Sequence, residues 1–166
     1  MTTIADFIRE QQLLLHSDRL GYDEYEGWPC FAWGVELSRG SHKVRFPTYR
    51  MGVAHHKVST NVYDKDTIPG NVEIARARSR NGRATLYESG LRVTPTPPNI
   101  ADVLMSLQSD ARFGEQSFED FCGDVGYDTD SRAAYQTWRQ CGEISRLLIS
   151  LLGHHGYADF MQCTEE

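Results

Sequence analysis

The sequence contains no apolar run approaching the ~20 residues that a membrane-spanning helix needs. Its opening residues, Met1-Thr2-Thr3-Ile4-Ala5-Asp6, lack the basic and apolar regions of a signal peptide. Neither a membrane partner nor secretion is expected. Cysteine is sparse: Cys30, Cys122, Cys141 and Cys163 lie far apart within apolar patterns. A disulfide framework would be denser and would accompany a secretion signal, so these read as reduced thiols of a cytoplasmic protein. Catalytic signatures are missing too. There is no G-x-S-x-G, P-loop, G-x-G-x-x-G or H-E-x-x-H pattern. Cys30 with His55 or His56 can be imagined as a nucleophile and base, but no local signature supports the pairing. The expectation is no catalytic residue, no metal and no cofactor, with a cryptic enzyme using Cys or His chemistry as one alternative.

The 166 residues, 40% of them hydrophobic and 24% charged, are enough for a single globular domain with a proper core. The net charge of -6 weighs against a nucleic-acid binder that uses its whole surface. The charge is uneven. Residues 1–98 carry 13 Lys and Arg against 11 Asp and Glu, whereas residues 99–166 carry 4 against 12. Such asymmetry points to partners. The break falls at Thr94-Pro95-Thr96-Pro97-Pro98, which separates a mixed helix and sheet part, 1–98, from an acidic helical part, 99–166.

Thr3 and Asp6 have the spacing of a capping box, and Ile4, Phe7, Ile8, Leu14 and Leu15 follow a helical stripe, so a helix is predicted over about 3–17. Residues 18–29 read as a loop. Phe31, Trp33, Val35 and Leu37 alternate with Cys30, Ala32, Gly34 and Glu36, which predicts a half-buried strand. After the turn Arg39-Gly40-Ser41-His42, Val44 and Phe46 continue the alternation, giving a hairpin over 30–51 at the centre of a sheet. Asn81-Gly82 suits a two-residue hairpin turn, so a second hairpin over 72–88 is predicted, with a helix at 72–79 as its competitor. Residues 52–71 have no clear reading. Asn99 then caps a helix carrying Ile100, Val103, Leu104, Leu107 and Ala111 on one face. Ser117 and Asp120 mark a short helix with Phe118, Phe121 and Cys122. Asp130 or Ser131 caps the longest helix, whose buried stripe is Tyr135, Trp138, Cys141, Ile144, Leu148 and Leu151 and which Gly153 ends. A short final turn over 157–161 can follow. The resulting fold class is α+β, a small antiparallel sheet covered by an N-terminal helix and about three C-terminal helices.

Four groups of residues carry candidate chemistry. His55-His56 and His154-His155 resemble metal ligands, but adjacent residues point apart and no C-x2-C spacing accompanies them. Asp124, Asp128 and Asp130 crowd one loop, yet counting a calcium loop from Asp128 puts Arg132 at position five and Arg139 at position twelve. Those aspartates are better read as turn and cap residues. Arg76, Arg78, Arg80 and Arg83 form a basic cluster that would suit phosphates or an acidic groove, or guard a hairpin edge. No aromatic RNA-binding motif goes with it, so nucleic-acid binding through 76–83 is the second alternative. Seven acids, Asp110, Glu115, Glu119, Asp120, Asp124, Asp128 and Asp130, face a single base, Arg112, over 110–130. That density could occupy a positively charged groove, or it could be the solvated outer face of two helices. Tyr22, Tyr25 and Trp28 lie in an acidic stretch and could anchor an interface, while Trp33 reads as core.

Residues 98–104 (Pro-Asn-Ile-Ala-Asp-Val-Leu), 107–111 (Leu-Gln-Ser-Asp-Ala), 117–122 (Ser-Phe-Glu-Asp-Phe-Cys) and 126–132 (Gly-Tyr-Asp-Thr-Asp-Ser-Arg) resemble a block of a widespread family of small phage and prophage proteins. The hairpin over 29–51 resembles the part that precedes this block there. The similarity spans about half the chain, and 53–94 reads as an insertion. It transfers no active-site residue. The resemblance implies a mobile-element origin and an accessory protein that disarms host defence, as anti-CRISPR and anti-restriction proteins do by binding a host protein or ribonucleoprotein complex. The expected contact residues are Glu115, Glu119, Asp120, Asp124 and Asp128 on the acidic side, Arg76, Arg78, Arg80 and Arg83 on the inserted segment, and Tyr25 and Trp28.

Overall fold

A computed structural model describes residues 2–25, 28–52, 57–60, 91–94 and 97–165, with side chains over 2–20, 31–50 and 97–165. The fold is α+β. Helix α1 (Ile4–Gln11) leads into a three-stranded antiparallel sheet of β1 (Leu13–Tyr25), β2 (Trp28–Arg39) and β3 (His42–Gly52), in the order β1-β2-β3. Strands β4 (Lys57–Thr60) and β5 (Leu91–Thr94) pair antiparallel, with Val58 opposite Val93. Helices α2 (Ile100–Gly114), α3 (Phe118–Val125) and α4 (Arg132–Met161) complete the described chain. Contacts divide it into two compact units. Met1–His16, Val35–Pro47 and Asn99–Glu166 form the first, and Ser17–Gly34 with Thr48–Pro98 form the second.

Two expectations about the first thirty residues need correcting. The helix predicted to reach residue 17 ends at Gln11, because Gln12 turns left-handed (φ 55°) and its N–H caps the carbonyls of Ile8 and Arg9. The chain is thereby redirected into an extended strand. Of the predicted loop at 18–29, residues 18–25 are instead the remainder of β1 and 28–29 the start of β2. The predicted hairpin is present as β2 and β3, turned by Gly40 at φ 61°. It is not the whole sheet: β1 adds a strand and makes β2 central. The position matches the burial, since Phe31, Ala32, Trp33 and Val35 are all buried where a half-buried alternation was expected. In β3 the alternation holds, with Val44 and Phe46 buried between exposed Lys43 and Arg45. The predicted hairpin over 72–88 lies outside the described residues.

Each helix of the first unit starts on a side chain that the sequence offers as a cap, with Ser131 rather than Asp130 serving α4. Thr3 accepts from the Asp6 N–H, Asn99 from Ala101, Ser117 from Asp120 and Ser131 from Ala134. Each bond satisfies one otherwise orphaned donor and contributes about 1 kcal/mol. Val103, Leu104, Leu107 and Ala111 form the buried stripe of α2, which packs along Cys141, Ile144, Leu148 and Leu151 of α4. The closest approach is at Gly114. A Cβ there would sit 2.4 Å from the Cys141 carbonyl oxygen, so only glycine fits.

Helix α4 breaks at Gly153 (φ 78°, ψ 166°), as expected of a helix-ending glycine, but the chain then resumes helix rather than adding only a short turn. The carbonyls freed at both ends find cationic or amide donors. Arg39 Nη1 donates to Leu152 O at 3.2 Å and Arg112 Nη2 to Met161 O at 2.8 Å. Buried Gln108 donates to Phe160 O at 2.7 Å and Cys163 O at 3.1 Å. Positive charge at these helix ends is also favoured by the macrodipole. A parallel bridge between Thr3 and Thr164 then ties α1 to the segment after α4, with Ile4 N donating to Thr164 O at 2.8 Å and Thr164 N to Thr2 O at 3.1 Å. Phe7 meets Phe160 at a centroid distance of 5.5 Å beneath it.

Candidate functional site

The acidic stretch 110–130 falls on the end of α2, on α3 and on the loop entering α4, all within the first unit. Helix α3 is short and amphipathic. Phe121 and Cys122 are buried with Ala134, and Phe113, Phe118, Tyr127 and Trp138 pack around them. Phe121 meets Phe113 edge-on at 5.7 Å and Tyr127 at 5.9 Å. Trp138 Nε1 donates to Gln116 O at 3.0 Å, which fixes the α2–α3 connection against α4. With that face committed, Glu119, Asp120 and Asp124 are turned outward and exposed. Gly126, at φ 78°, ends the helix, and exposed Asp128 and Asp130 follow.

Local structure accounts for some of these carboxylates and not others. Glu119 and Asp120 occupy the first turn of α3, where the helix dipole favours negative charge. Asp128 Oδ1 accepts from the Asp130 N–H at 3.1 Å, closing a turn ahead of the Ser131 cap. Asp124 is different. It lies near the C-terminal end of α3, where the dipole disfavours an anion, and four residues from the like-charged Asp120. Gln116 Nε2 donates to it at 2.6 Å, and because that donor is neutral the bond orients the carboxylate and leaves its charge in place.

The two acids on or next to α2 are engaged by their surroundings. Glu115 is exposed, but its carboxylate accepts from the Tyr157 hydroxyl, which also lies 2.9 Å from the buried Ser145 hydroxyl. Burial and the Glu115 carboxylate push Tyr157 up to about 12. Asp110 is partly buried on α2, and the loss of water raises its carboxyl to about 6. The neighbouring Cys141 thiol is pushed to about 11, by burial and then by Asp110.

Phe118 of α3 forms an aromatic cluster with Tyr135 and Trp138, two residues expected in the buried stripe of the long helix. Phe118 meets Tyr135 edge-on at 5.3 Å and Trp138 at 5.6 Å, and Tyr135 lies 5.7 Å from Trp138. Tyr135 is nonetheless 44% exposed. Its place in the first turns of α4, on the helical spacing of Ser131 and Trp138, puts it at the rim of the core. Exposed Arg132 and Arg139 flank it on α4, so the outer face of α4 is mixed in charge where that of α3 is acidic.

The described thiols are poor nucleophiles. Burial raises Cys122, with Asp128 adding to the effect, and burial raises Cys163, with Asp159 and Glu10 adding. Cys163 borders a cavity of about 340 Å³ lined also by Thr2, Phe7, Glu10 and Asp159. His154 and His155 are exposed, with His155 Nε2 3.6 Å from Asp159. Among the described residues no group of three or more His, Cys, Asp or Glu could hold a metal ion, and no helix is long and apolar enough to cross a membrane. Arg76, Arg78, Arg80 and Arg83, with His55 and His56, lie outside the described residues. Tyr25 and Trp28 are placed at the end of β1 and the start of β2 by their backbone alone. No family model, curated protein or solved structure matches the chain.

Proposed function

We propose that this chain is a non-catalytic binding protein whose contact surface is the outer face of α3 and the loop that follows it. The observation that carries the reading is the set of exposed carboxylates Glu119, Asp120 and Asp124 on one face of an eight-residue helix whose opposite face is core. Asp124 destabilises its own helix locally, and a residue kept against local stability suits a role in contact with something else. The partner presents a basic surface, and long-range attraction speeds the encounter. Tyr135, exposed at the edge of the aromatic cluster, is the apolar anchor beside the charges. The raised pKa values of Cys122, Cys141 and Cys163 weigh against those three thiols as nucleophiles, because the thiol form is a weak nucleophile; the Cys30 side chain lies outside the described residues. The resemblance of residues 97–132 extends the proposal: the chain is phage-encoded, acts in the bacterial cytoplasm and inhibits a host defence complex through protein contacts.

The test is a pull-down from nuclease-treated bacterial lysate with the wild-type chain and with a variant carrying Glu119→Lys, Asp120→Lys and Asp124→Lys. A defence protein retained in stoichiometric amount by the wild type and lost by the variant is the expected result. Association measured with the purified partner should slow with rising salt for the wild type only. Identical retention by both proteins would exclude the α3 face. A parallel variant, Arg76→Glu with Arg78→Glu and Arg80→Glu, asks whether the inserted segment contributes. Recovery of nucleic acid alone, once nuclease is omitted, would move the reading to nucleic-acid binding.

A further inference from the structure

Helix α2 carries a second stripe beside the one buried against α4. Met105, Gln108, Ser109 and Arg112 follow the spacing i, i+3, i+4 and i+7, so they share one side of the helix. With Cys163, Thr164 and Glu165 they line a cavity of about 450 Å³, and every one of these residues belongs to the first unit. Gln108 is only 8% exposed. Its Nε2 is held by the carbonyls of Phe160 and Cys163, which fixes the plane of the amide. Among the described residues its Oε1 accepts from no donor. That leaves a fixed acceptor, on a buried residue of the lining, for an N–H of whatever enters the cavity.

Opposite charges bracket this acceptor. Arg112 donates to Met161 O and Gln108 to Cys163 O, so the chain leaving α4 runs antiparallel to α2. Arg112 therefore lies at one end of the stripe, and Glu165 lies toward the Met105 end. Both are exposed, and neither has an ion-pair partner among the described residues. The seven residues from Met105 to Arg112 span about 10 Å of helix. Three extended residues of a peptide cover about the same length. We infer that this cavity binds a free peptide of two or three residues. Its ammonium meets Glu165, an inner amide N–H meets Gln108 Oε1, and its carboxylate meets the guanidinium N–H groups that Arg112 does not spend on Met161. A simple anion would be repelled by Glu165, and a simple cation by Arg112. In a single amino acid both charges sit on one carbon and cannot reach both ends. Met105 is the one large apolar side chain of the lining, so the ends and the backbone are read more than the side chains. The site is separate from the α3 face and stands whether or not that face binds a partner.

Trialanine is the probe, titrated into the full chain by isothermal calorimetry beside its N-acetyl and C-terminal amide derivatives. Trialanine should bind in the millimolar range or tighter. Each cap removes one charge and should weaken binding about fivefold. Arg112→Gln should erase the difference between trialanine and its amide and keep the difference from the N-acetyl form. Glu165→Gln should do the reverse. Arg112 also braces the end of α4, and this crossed pattern separates recognition from a general loss of structure, which would weaken all three probes alike. No heat with trialanine at millimolar concentration, capped forms that bind as well as the free peptide, or variants that keep both preferences would each overturn the proposal.

Discussion

Asp110 and Glu115, at the end of α2, and Glu119, Asp120 and Asp124, on α3, belong to one acidic stretch, and the fold treats them differently. The first two are drawn toward α4, where one loses water and the other takes a tyrosine hydroxyl. Glu115 remains exposed all the same, as do the other three, which lie on a helix whose inner face is aromatic. Acid density along a sequence therefore does not measure acid density on a surface. Of the five, only Asp110 on α2 is partly buried, and Glu115 is engaged by Tyr157 while still exposed.

The largest expected effect breaks the α2 side of this comparison. Gly114→Ala forces a methyl group against the Cys141 backbone and should destabilise the protein by about 3 kcal/mol in urea unfolding. A loss under ~0.5 kcal/mol would mean the crossing is slack. Tyr157→Phe comes next, at about 2 kcal/mol, since it removes the partner of buried Ser145 and of Glu115. It should also remove an alkaline limb of the stability curve. The folded-state pKa of Tyr157 is raised, so its contribution is complete below about 10 and is lost as pH climbs toward about 12.

Asp110→Asn should act in the opposite direction. Its folded-state pKa is also raised, so protonation favours the native state and the contribution is full below about 4 and gone above about 6. At pH ~7 the ionised carboxylate is a burden, and the asparagine variant should gain about 1–2 kcal/mol, a gain that vanishes near pH ~4. A pH-independent gain would point to packing instead. The smallest effect sharpens the α3 side. Gly123 is exposed and its added Cβ would meet nothing within 4 Å, so Gly123→Ala should stabilise by about 0.5–1 kcal/mol. The same chemical change thus carries opposite signs at two glycines nine positions apart, and thermal unfolding of both variants together checks the contrast.

Much of this was legible from local chemistry. Thr3, Asn99, Ser117 and Ser131 announce their helices because a cap is decided by one side chain and the N–H groups just after it. Gly153 marks its break for the same reason. What was not legible depends on distant chain. Leu13-Leu14-Leu15 extends a helical stripe on paper, and Gln12, which turns left-handed without being glycine, carries no compositional sign of the stop. Strand β1 also hides itself, because its apolar residues fall on both faces and blur the period of two. Of the acidic site, the outward set on α3 followed from amphipathic spacing, whereas the engagement of Glu115 by Tyr157 could not be seen from residues so far apart. Tyr135 fits the stripe by spacing and lies at its rim in three dimensions.

The bridge between Thr3 and Thr164 has a consequence for the order of events at the ribosome. Helix α1 is made long before its partners, for the carbonyl that receives Ile4 and the ring that meets Phe7 belong to residues translated as α4 finishes or after it. Eight helical residues are too few to persist alone in water. Ile4 and Phe7 therefore lack these two partners until Phe160 and Thr164 have cleared the exit tunnel. A nascent chain stalled ahead of that point would show Ile4 and Phe7 to proteases and chaperones for as long as the stall lasts.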